Sequence, residues 1–519
     1  MTTGQGRPNP VRAGQGRGNP VRAQQGGPGG AETPIDYNVL LFVVDDVGVE
    51  WFPQYYERWG PQWNWASGDV VSATQPRGLA SPSIAPWMEE MADAGLLFYD
   101  ASAMPICGPT RTGIQTGRYG FRHGHNTNIR DPGGAVPAIG SYAVPSSELF
   151  LAEHIKAKRP DYHTGHFAKW HMADEFSGVS TGDAYGCPTS PPDVNLTHPA
   201  TEGYDYSYHH PANIGGAYTW WPVLNGVVQT QVQGDATATF DETTYPTSVF
   251  GAAALSWITS KGNDPWFCYV AFGPPHSQFR VPPFSMISSG TQNKLTALGA
   301  VAGDQFTGSV NTNSSLFWTW VASIEATDLA MRRIWEGLTP EVRGRTVVII
   351  TGDNGTTSEA VQTGFNHSKR QIYWGGTRVP FIVRGPIVAN PGERTDAVVV
   401  TQDIFDTVTD IIGIDRATST RDSVSLMPLL KNTVNRQDPN ALHDYIYVSL
   451  GTNTSMNGQN EQWAVYDGRF RTGLMAGLSE TIITDEFEDP FETEDRTGFS
   501  DEVNEAKAAG IAWKTALNP

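Results

Sequence analysis

The sequence predicts an α/β fold, a layered sandwich on a parallel sheet, with a smaller subdomain at the C-terminal end. Three observations carry this. Residues 39–44 and 346–350 are continuous apolar runs, each followed by turn-forming residues, Asp45-Asp46 and Asp353-Asn354-Gly355. Unbroken apolar runs of that length suit strands covered on both faces. Helix-like stretches lie between such runs, at 84–96, 147–157, 316–337 and 402–412, and strand–helix alternation is the pattern of layered α/β domains. After about residue 430 the rhythm changes to short strands at 445–450 and 463–466, then an acidic stretch and a final amphipathic helix.

Taken in order, residues 1–34 come first. GQGRPNPVRA at 4–13 and GQGRGNPVRA at 14–23 are near-copies, followed by a Gln/Gly stretch. Such a segment buries too little apolar surface to order itself, so it reads as a disordered tail. Residues 35–430 form the main domain and 431–519 the C-terminal subdomain. Two long loops interrupt the main domain. One, at 51–83, carries Trp51, Phe52, Tyr55, Tyr56, Trp59, Trp63 and Trp65. Loops this long are usually functional; its rings suit either the mouth of a pocket or a local cluster of their own. The other, at 196–245, is rich in Tyr and Trp and weakly periodic.

Composition narrows the partners. The 519 residues are 39% hydrophobic and 17% charged, a globular balance, and the net charge is −19. A surface that acidic argues against nucleic acid or an anionic membrane as the main partner. No run approaches the roughly 18 apolar residues of a membrane span. No secretory signal is visible, which places the chain in the cytoplasm by default, or in the periplasm or outside the cell if a targeting segment has been removed. There are three cysteines, Cys107, Cys187 and Cys268, too few for a disulfide framework in a chain this long. Cys268 lies in an apolar strand pattern and reads as packing. Cys187 sits in a Gly/Pro/Ser-rich loop with no assigned role. Oligomeric state is not read from the sequence.

The chemistry starts at the strand ends. Parallel strands place ligands beyond their carboxyl ends, where Asp45, Asp46, Asp353 and Asn354 stand. Three carboxylates and an amide oxygen make a hard, all-oxygen set suited to Ca²⁺ first and Mg²⁺ second. Taken singly, each pair is also an ordinary turn signature.

A second cluster of residues settles which family to compare. Cys107-x-Pro109-x-Arg111, followed by Thr116-Gly117-Arg118-Tyr119, resembles the signature of the type I sulfatases. Further stretches are similar to that family's motifs in the same order: Asn38 with Asp45-Asp46-Val47-Gly48; Ser81 to Met88; Tyr162 to His171; Pro265-Trp266-Phe267 through Pro275-His276; Asp353-Asn354-Gly355; Lys369 before Gly375-Gly376-Thr377-Arg378-Val379-Pro380; and Asp422 to Leu430. The resemblance spans residues 36–519. It implies an alkaline phosphatase-like sandwich, with a large mixed, mostly parallel sheet between helices. It also implies a smaller C-terminal subdomain with a short antiparallel sheet and a terminal helix.

The resemblance further implies that a formylglycine-generating maturation enzyme converts Cys107 to formylglycine. As a hydrate, that residue offers two hydroxyls on one carbon. One, bound to the cation, attacks sulfur to give a covalent sulfo-enzyme; the other then expels sulfate. By resemblance the metal ligands are Asp45, Asp46, Asp353, Asn354 and the modified Cys107. Asp353 also takes the first proton, and His171 is the base for expulsion. His276 and Lys369 serve the leaving group, while Arg111, Lys169 and Lys369 steady the developing charge. Asn354 begins an Asn-Gly-Thr triplet, but the family role as a ligand is preferred to glycosylation.

Three positions depart from the family pattern: Ala168 where Gly is usual, Gln115 where an apolar residue is usual, and Trp374 where an acidic residue is usual. None removes a group that does chemistry. The implied substrate is a small-molecule or saccharide sulfate monoester, aryl or carbohydrate. A formylglycine-dependent phosphonate monoester or phosphodiester hydrolase is the alternative on the same scaffold. A catalytically dead binding protein is a remote third, since it would be expected to have lost Cys107 or a metal ligand.

Overall fold

The structure is a computed structural model that describes residues 36–55, 83–126, 144–172, 196–211, 213, 218–362, 367–417, 421–451, 462–474, 480–489 and 492–517, with backbone alone at 66–67, 77–78 and 235. The tail at 1–34, Cys187, and the loop residues Tyr56, Trp59, Trp63 and Trp65 lie outside the described residues.

Ten strands form the main sheet: β1 (Asn38–Val44), β2 (Leu96–Phe98), β3 (His163–Lys169), β4 (Tyr206–His210), β5 (Val223–Leu224), β6 (Val227–Val228), β7 (Trp266–Phe272), β8 (Thr346–Gly352), β9 (Phe381–Arg384) and β10 (Glu393–Thr395). Their spatial order is β6-β5-β4-β3-β7-β1-β8-β9-β2-β10. From β4 through β3, β7 and β1 to β8 every pairing is parallel. β9 joins antiparallel beside β8, so the sheet is mixed with a parallel centre, as expected.

The continuous apolar runs divide by alternation. Val39, Leu41 and Val43 face a core with helices α3 (Leu151–Lys158) and α6 (Ile404–Ile412). Leu40, Phe42 and Val44 face the other core, with α1 (Pro86–Asp93), α4 (Pro246–Ser260) and α5 (Ser314–Gly337). Each strand therefore needs apolar residues at every position, because side chains alternate between two covered faces. Phe42 stacks on Phe272 at 6.2 Å and meets Trp87 edge-on at 6.0 Å; truncating it to Ala would cost about 3–5 kcal/mol.

Boundaries moved for physical reasons. The stretch expected as one helix over 84–96 is α1 followed by β2. Pro86 opens α1 at its first turn, where its missing N–H is harmless. Asp328 of α5 accepts from the N–H groups of Trp87 and Met88 at 3.0 and 2.9 Å. At Gly95 the chain passes so close to β9 that a Cβ would lie 2.4 Å from the carbonyl oxygen of Val383. The next apolar residues, Leu96 and Leu97, are therefore committed to the sheet. The weakly periodic region 196–245 supplies β4, β5 and β6, which extend one edge. Its Asn225-Gly226 dipeptide, both residues at positive φ, turns β5 into β6, a two-residue hairpin signal. Trp51, Phe52 and Tyr55 are buried in the main core, Trp51 lying 5.7 Å from Phe317 and 5.9 Å from Trp320.

Near the C-terminus, β11 (Ile446–Leu450), β12 (Gln462–Tyr466), β13 (Phe470–Leu474) and β14 (Ile482–Asp485) form an antiparallel sheet in sequence order. Helix α7 (Asp501–Leu517) packs on it closely at Gly510, where a Cβ would lie 3.0 Å from Val465 and 3.1 Å from Thr472. A buried ion chain ties this sheet to the main one. Arg378 reaches Asp100 at 2.7 Å and Glu486 at 2.8 Å; Arg471 reaches Glu486 at 2.9 Å and Glu492 at 2.8 Å. Trp374 stands beside that chain, buried, with its ring 5.3 Å from the Arg378 guanidinium. Its backbone N–H donates to Glu492, so the carboxylate there comes from the C-terminal segment. Among the described residues no helix is long and apolar enough to cross a membrane.

Candidate active site

Sheet register brings the two acidic turns together. Val44 at the end of β1 is level with Gly352 at the end of β8, so Asp45-Asp46 and Asp353-Asn354 leave the sheet side by side. The Asp353 N–H donates to the Val44 carbonyl at 3.1 Å, and the Asp46 N–H to Asp353 Oδ1 at 3.2 Å. On the far side of β1, β7 leads to His276 and β3 ends in Lys169, followed by His171. Four adjacent strands thus deliver their carboxyl ends to one place.

The turn itself is tight. Asp46 (φ 65°), Ala168 (φ 72°) and His171 (φ 59°) adopt the left-handed region, which non-glycine residues enter at a cost and which clusters at functional sites. A Cβ on Gly355 would lie 2.0 Å from the Gly375 carbonyl oxygen, so only glycine allows the Asp-Asn-Gly turn to pack on the Gly375-Gly376 loop. That loop follows Lys369.

Cys107 opens helix α2 (Cys107–Thr116) and is fully buried. Its sulfur and one oxygen each of Asp45 and Asp353 lie within 4.8 Å of one another. One turn on, Arg111 reaches Asp353 Oδ2 through Nε at 3.0 Å and Nη2 at 2.8 Å, and the Lys169 carbonyl through Nη1 at 3.0 Å. Lys169 Nζ lies 2.5 Å from Asp45 Oδ2, and Lys369 Nζ 2.5 Å from Asp46 Oδ1. The three carboxylates are therefore each met by a separate cation. His276 Nε2 is 3.7 Å from Asp46 Oδ2, and Asn354 Nδ2 donates to Asp46 Oδ1 at 2.8 Å. Every residue expected at the site from the sequence is brought to it.

Asp45 Oδ1 and Asn354 Oδ1, on the two facing acidic turns, are among the buried side-chain oxygens with no hydrogen-bond partner. Together with Asp46 and Asp353 they form a hard-oxygen set that fits a divalent cation such as Ca²⁺ or Mg²⁺.

The electrostatics follow from crowding opposite charges away from water. Burial opposes ionisation of Asp45, but Lys169, His276, Arg111 and Lys369 outweigh it and hold the carboxyl well below its ordinary range. Burial and the neighbouring Asp45 push Asp353 the other way. For Cys107, burial is overcome by Lys169, Lys369 and His171, which draw the thiol well down; such a field favours an anion at this position. Burial lowers His276 despite the nearby Asp46.

Several neighbours escaped the sequence reading. Tyr269 on β7 faces Arg111, and burial pushes its hydroxyl up to about 12. Thr356 accepts from the Gly48 N–H at 2.9 Å and so supports the Asp45-Asp46 turn. His125 meets Thr112 Oγ1 through Nδ1 at 2.5 Å in the layer behind His171. Asn213, Ser277, Thr357, Ser358, Glu359 and Arg370 line the cleft above the site. Arg370, directly after Lys369, and Ser277, directly after His276, were signalled in the sequence by their neighbours alone.

The fold and the gathered strand ends define a member of the alkaline phosphatase-like superfamily. Within it, the chain belongs to the sulfatase family of hydrolases: the family model described as Sulfatase matches residues 38–414. The arylsulfatase of Hemicentrotus pulcherrimus is 25% identical over 393 residues, covering 72% of this chain and 58% of that protein, so this chain spans under two thirds of that relative's length. The solved structure of Ps i-CgsB in complex with k-i-k-neocarrahexaose superposes with a TM-score of 0.67 at 18% identity, covering 93% of this chain and 92% of the other. The phosphonate monoester hydrolase of Agrobacterium radiobacter superposes with a TM-score of 0.60 at 16% identity, covering 93% and 95%. At those identities the structures share the fold alone.

Proposed function

We propose that this protein hydrolyses a sulfate monoester, using formylglycine made from Cys107 and one divalent cation, Ca²⁺ before Mg²⁺. The observation that carries the reading is the position of Cys107: at the N-terminus of α2, within 4.8 Å of Asp45 and Asp353, and faced by Lys169, Lys369 and His171. When present, the modified residue and the cation supply an acidified oxygen nucleophile and a second hydroxyl for releasing sulfate.

The chain's own groups then divide the work. Asp45, Asp46, Asp353 and Asn354 hold the cation. Arg111 orients Asp353 through its fork, and Lys169 and Lys369 draw the nonbridging oxygens into place and offset their charge. His276, with Lys369, stands where a departing oxygen needs a proton or a cation. His171, hydrogen-bonded to Cys107, is placed to take the proton from that residue when sulfate leaves. The joint presence of Lys169, His171, His276 and Lys369 favours sulfate over phosphonate or phosphodiester substrates. Cys107 and the four oxygen donors are all in place, which counts against a dead scaffold.

The test is a mass spectrum of tryptic peptide 78–111, which contains one cysteine, from protein co-expressed with a formylglycine-generating enzyme. An aldehyde mass, followed by faster release of sulfate than of phosphate or phosphonate from matched esters, is expected. An intact thiol in the presence of an active maturase would sink the reading.

A further inference from the structure

Two hollows meet at His276: one, over Asp45 and Lys169, carries Tyr245, Pro246 and Phe279 in its walls, and the other is the cleft that opens over Asp46 and Lys369. Beyond those groups and the two histidines, its described walls are Asn213, Ser277, Thr357, Ser358, Glu359 and Arg370. All are polar. A leaving group held by stacking or aliphatic contact needs apolar walls, and these side chains offer hydroxyls, amides and charges, the set that suits a hydroxylated ring.

Arg370 stands apart from the others. Its φ of 72° is left-handed, a conformation that non-glycine residues hold only when the surroundings enforce it. Here its N–H donates to the Pro105 carbonyl at 2.7 Å, two residues before Cys107. Its neighbour Lys369 turns inward onto Asp46, whereas Arg370 is exposed at the cleft mouth. The carboxylate that shares the cleft rim, Glu359, already accepts from the hydroxyls of Thr357 and Ser358. Among the described residues no ion pair engages the Arg370 guanidinium. In a chain of net charge −19, a cation at the site mouth with no ion-pair partner among the described residues is set for an anion from outside, and the guanidinium fork matches carboxylates and sulfates alike.

We propose that Arg370 is a specificity-determining residue that binds a second anionic group, a carboxylate or a further sulfate, on a saccharide whose scissile sulfate lies at Cys107. The proposal rests on the sulfatase reading above. It is tested with the matured full chain and Arg370→Ala, on pairs of saccharide sulfates that differ only by one neighbouring carboxylate, or only by one neighbouring sulfate.

The wild type is expected to favour the two-anion member of at least one pair by about tenfold or more in kcat/KM, and Arg370→Ala to bring that ratio near one. Arg370→Lys, which keeps the charge and loses the fork, should retain part of it. Whether the preferred pair is the carboxylate or the sulfate one identifies the group. Ratios near one in the wild type for all pairs, or a ratio that survives Arg370→Ala, overturn the proposal. If the matured protein cleaves no sulfate ester, the catalytic reading fails, and the subsite is judged by calorimetry on Cys107→Ala. There a two-anion saccharide should bind about tenfold more weakly once Arg370 is also Ala; equal or undetectable binding overturns the proposal.

Discussion

Arg111 holds Asp353 by two N–H groups on one oxygen, Nε at 3.0 Å and Nη2 at 2.8 Å, with both side chains fully buried. The pair joins the first helical turn after Cys107 to the end of β8. It thereby fixes the position of Asp353 relative to Cys107.

Removing the guanidinium leaves a buried carboxylate without its partner, which costs about 3–5 kcal/mol. Arg111→Ala is therefore expected to lower the urea midpoint markedly and to abolish measurable sulfate release. Arg111→Lys keeps the charge but not the fork, and should lose activity on the order of 10²-fold while keeping more of the stability. Equal activity in Arg111→Lys and wild type would show that the fork has no catalytic part.

At the proposed cation site, Asp45 Oδ1 and Asn354 Oδ1 are buried and have no hydrogen-bond partner. Asp45→Ala should purify with a clearly reduced divalent-metal content by elemental analysis. Its thermal midpoint should also stop responding to added Ca²⁺, because ligand binding to the native state raises stability by mass action. An unchanged metal content would remove Asp45 from the ligand set.

Glu50 is buried four residues beyond Asp46, and desolvation pushes its carboxyl from 4.5 up to about 7. The folded state therefore keeps this proton at pH values where the unfolded chain has lost it. Its contribution is full below pH 4.5, falls as pH rises toward 7, and is gone above. The loss amounts to about 3 kcal/mol. Glu50→Gln, which stays neutral, should match the wild type near pH 4.5 and exceed it in urea stability at pH 8. A difference between the two that does not change with pH would refute this.

Ala168 holds φ 72°, where glycine would be relaxed, at a cost of about 1–2 kcal/mol. Its methyl is buried among Trp220 and Phe250, which returns about 0.8 kcal/mol. The methyl offsets part of that cost and leaves about 0.2–1.2 kcal/mol in favour of glycine, small enough for alanine to be tolerated where the family pattern has glycine. Ala168→Gly should raise the unfolding free energy by about 1 kcal/mol or less and leave sulfate release intact. A loss above 2 kcal/mol, measured by urea titration, would mean that the packing is worth far more than one methyl.

Gln115 shows how a departure from the family pattern is absorbed by a distant residue. It is buried, and its Oε1 accepts from the Tyr204 hydroxyl at 2.9 Å, so the polar group found a partner beyond β3 that no local pattern announced. The expected helix over 84–96 shows the opposite limit. Apolar periodicity marked the residues as buried, but only the close passage at Gly95 made Leu96 and Leu97 a strand.

The two covered strands, the acidic turns beyond them and the start of the Cys107 helix were legible in the chain alone. These depend on local rules: an apolar run must be buried on both faces, and the polar residues ending it must lie at its carboxyl end. The chain alone could not reveal that Val44 and Gly352 share a register, which is what turns Asp45-Asp46 and Asp353-Asn354 into one site. Nor could it place Asn213, Glu359 and Arg370 around one cleft. Asn213 follows β4, whereas Glu359 and Arg370 lie in the long segment between β8 and β9, and they line one cleft only because the strands are ordered and staggered in one sheet. Pairing order and register are set by the packing of both faces at once, and that is a property of the whole fold rather than of any segment.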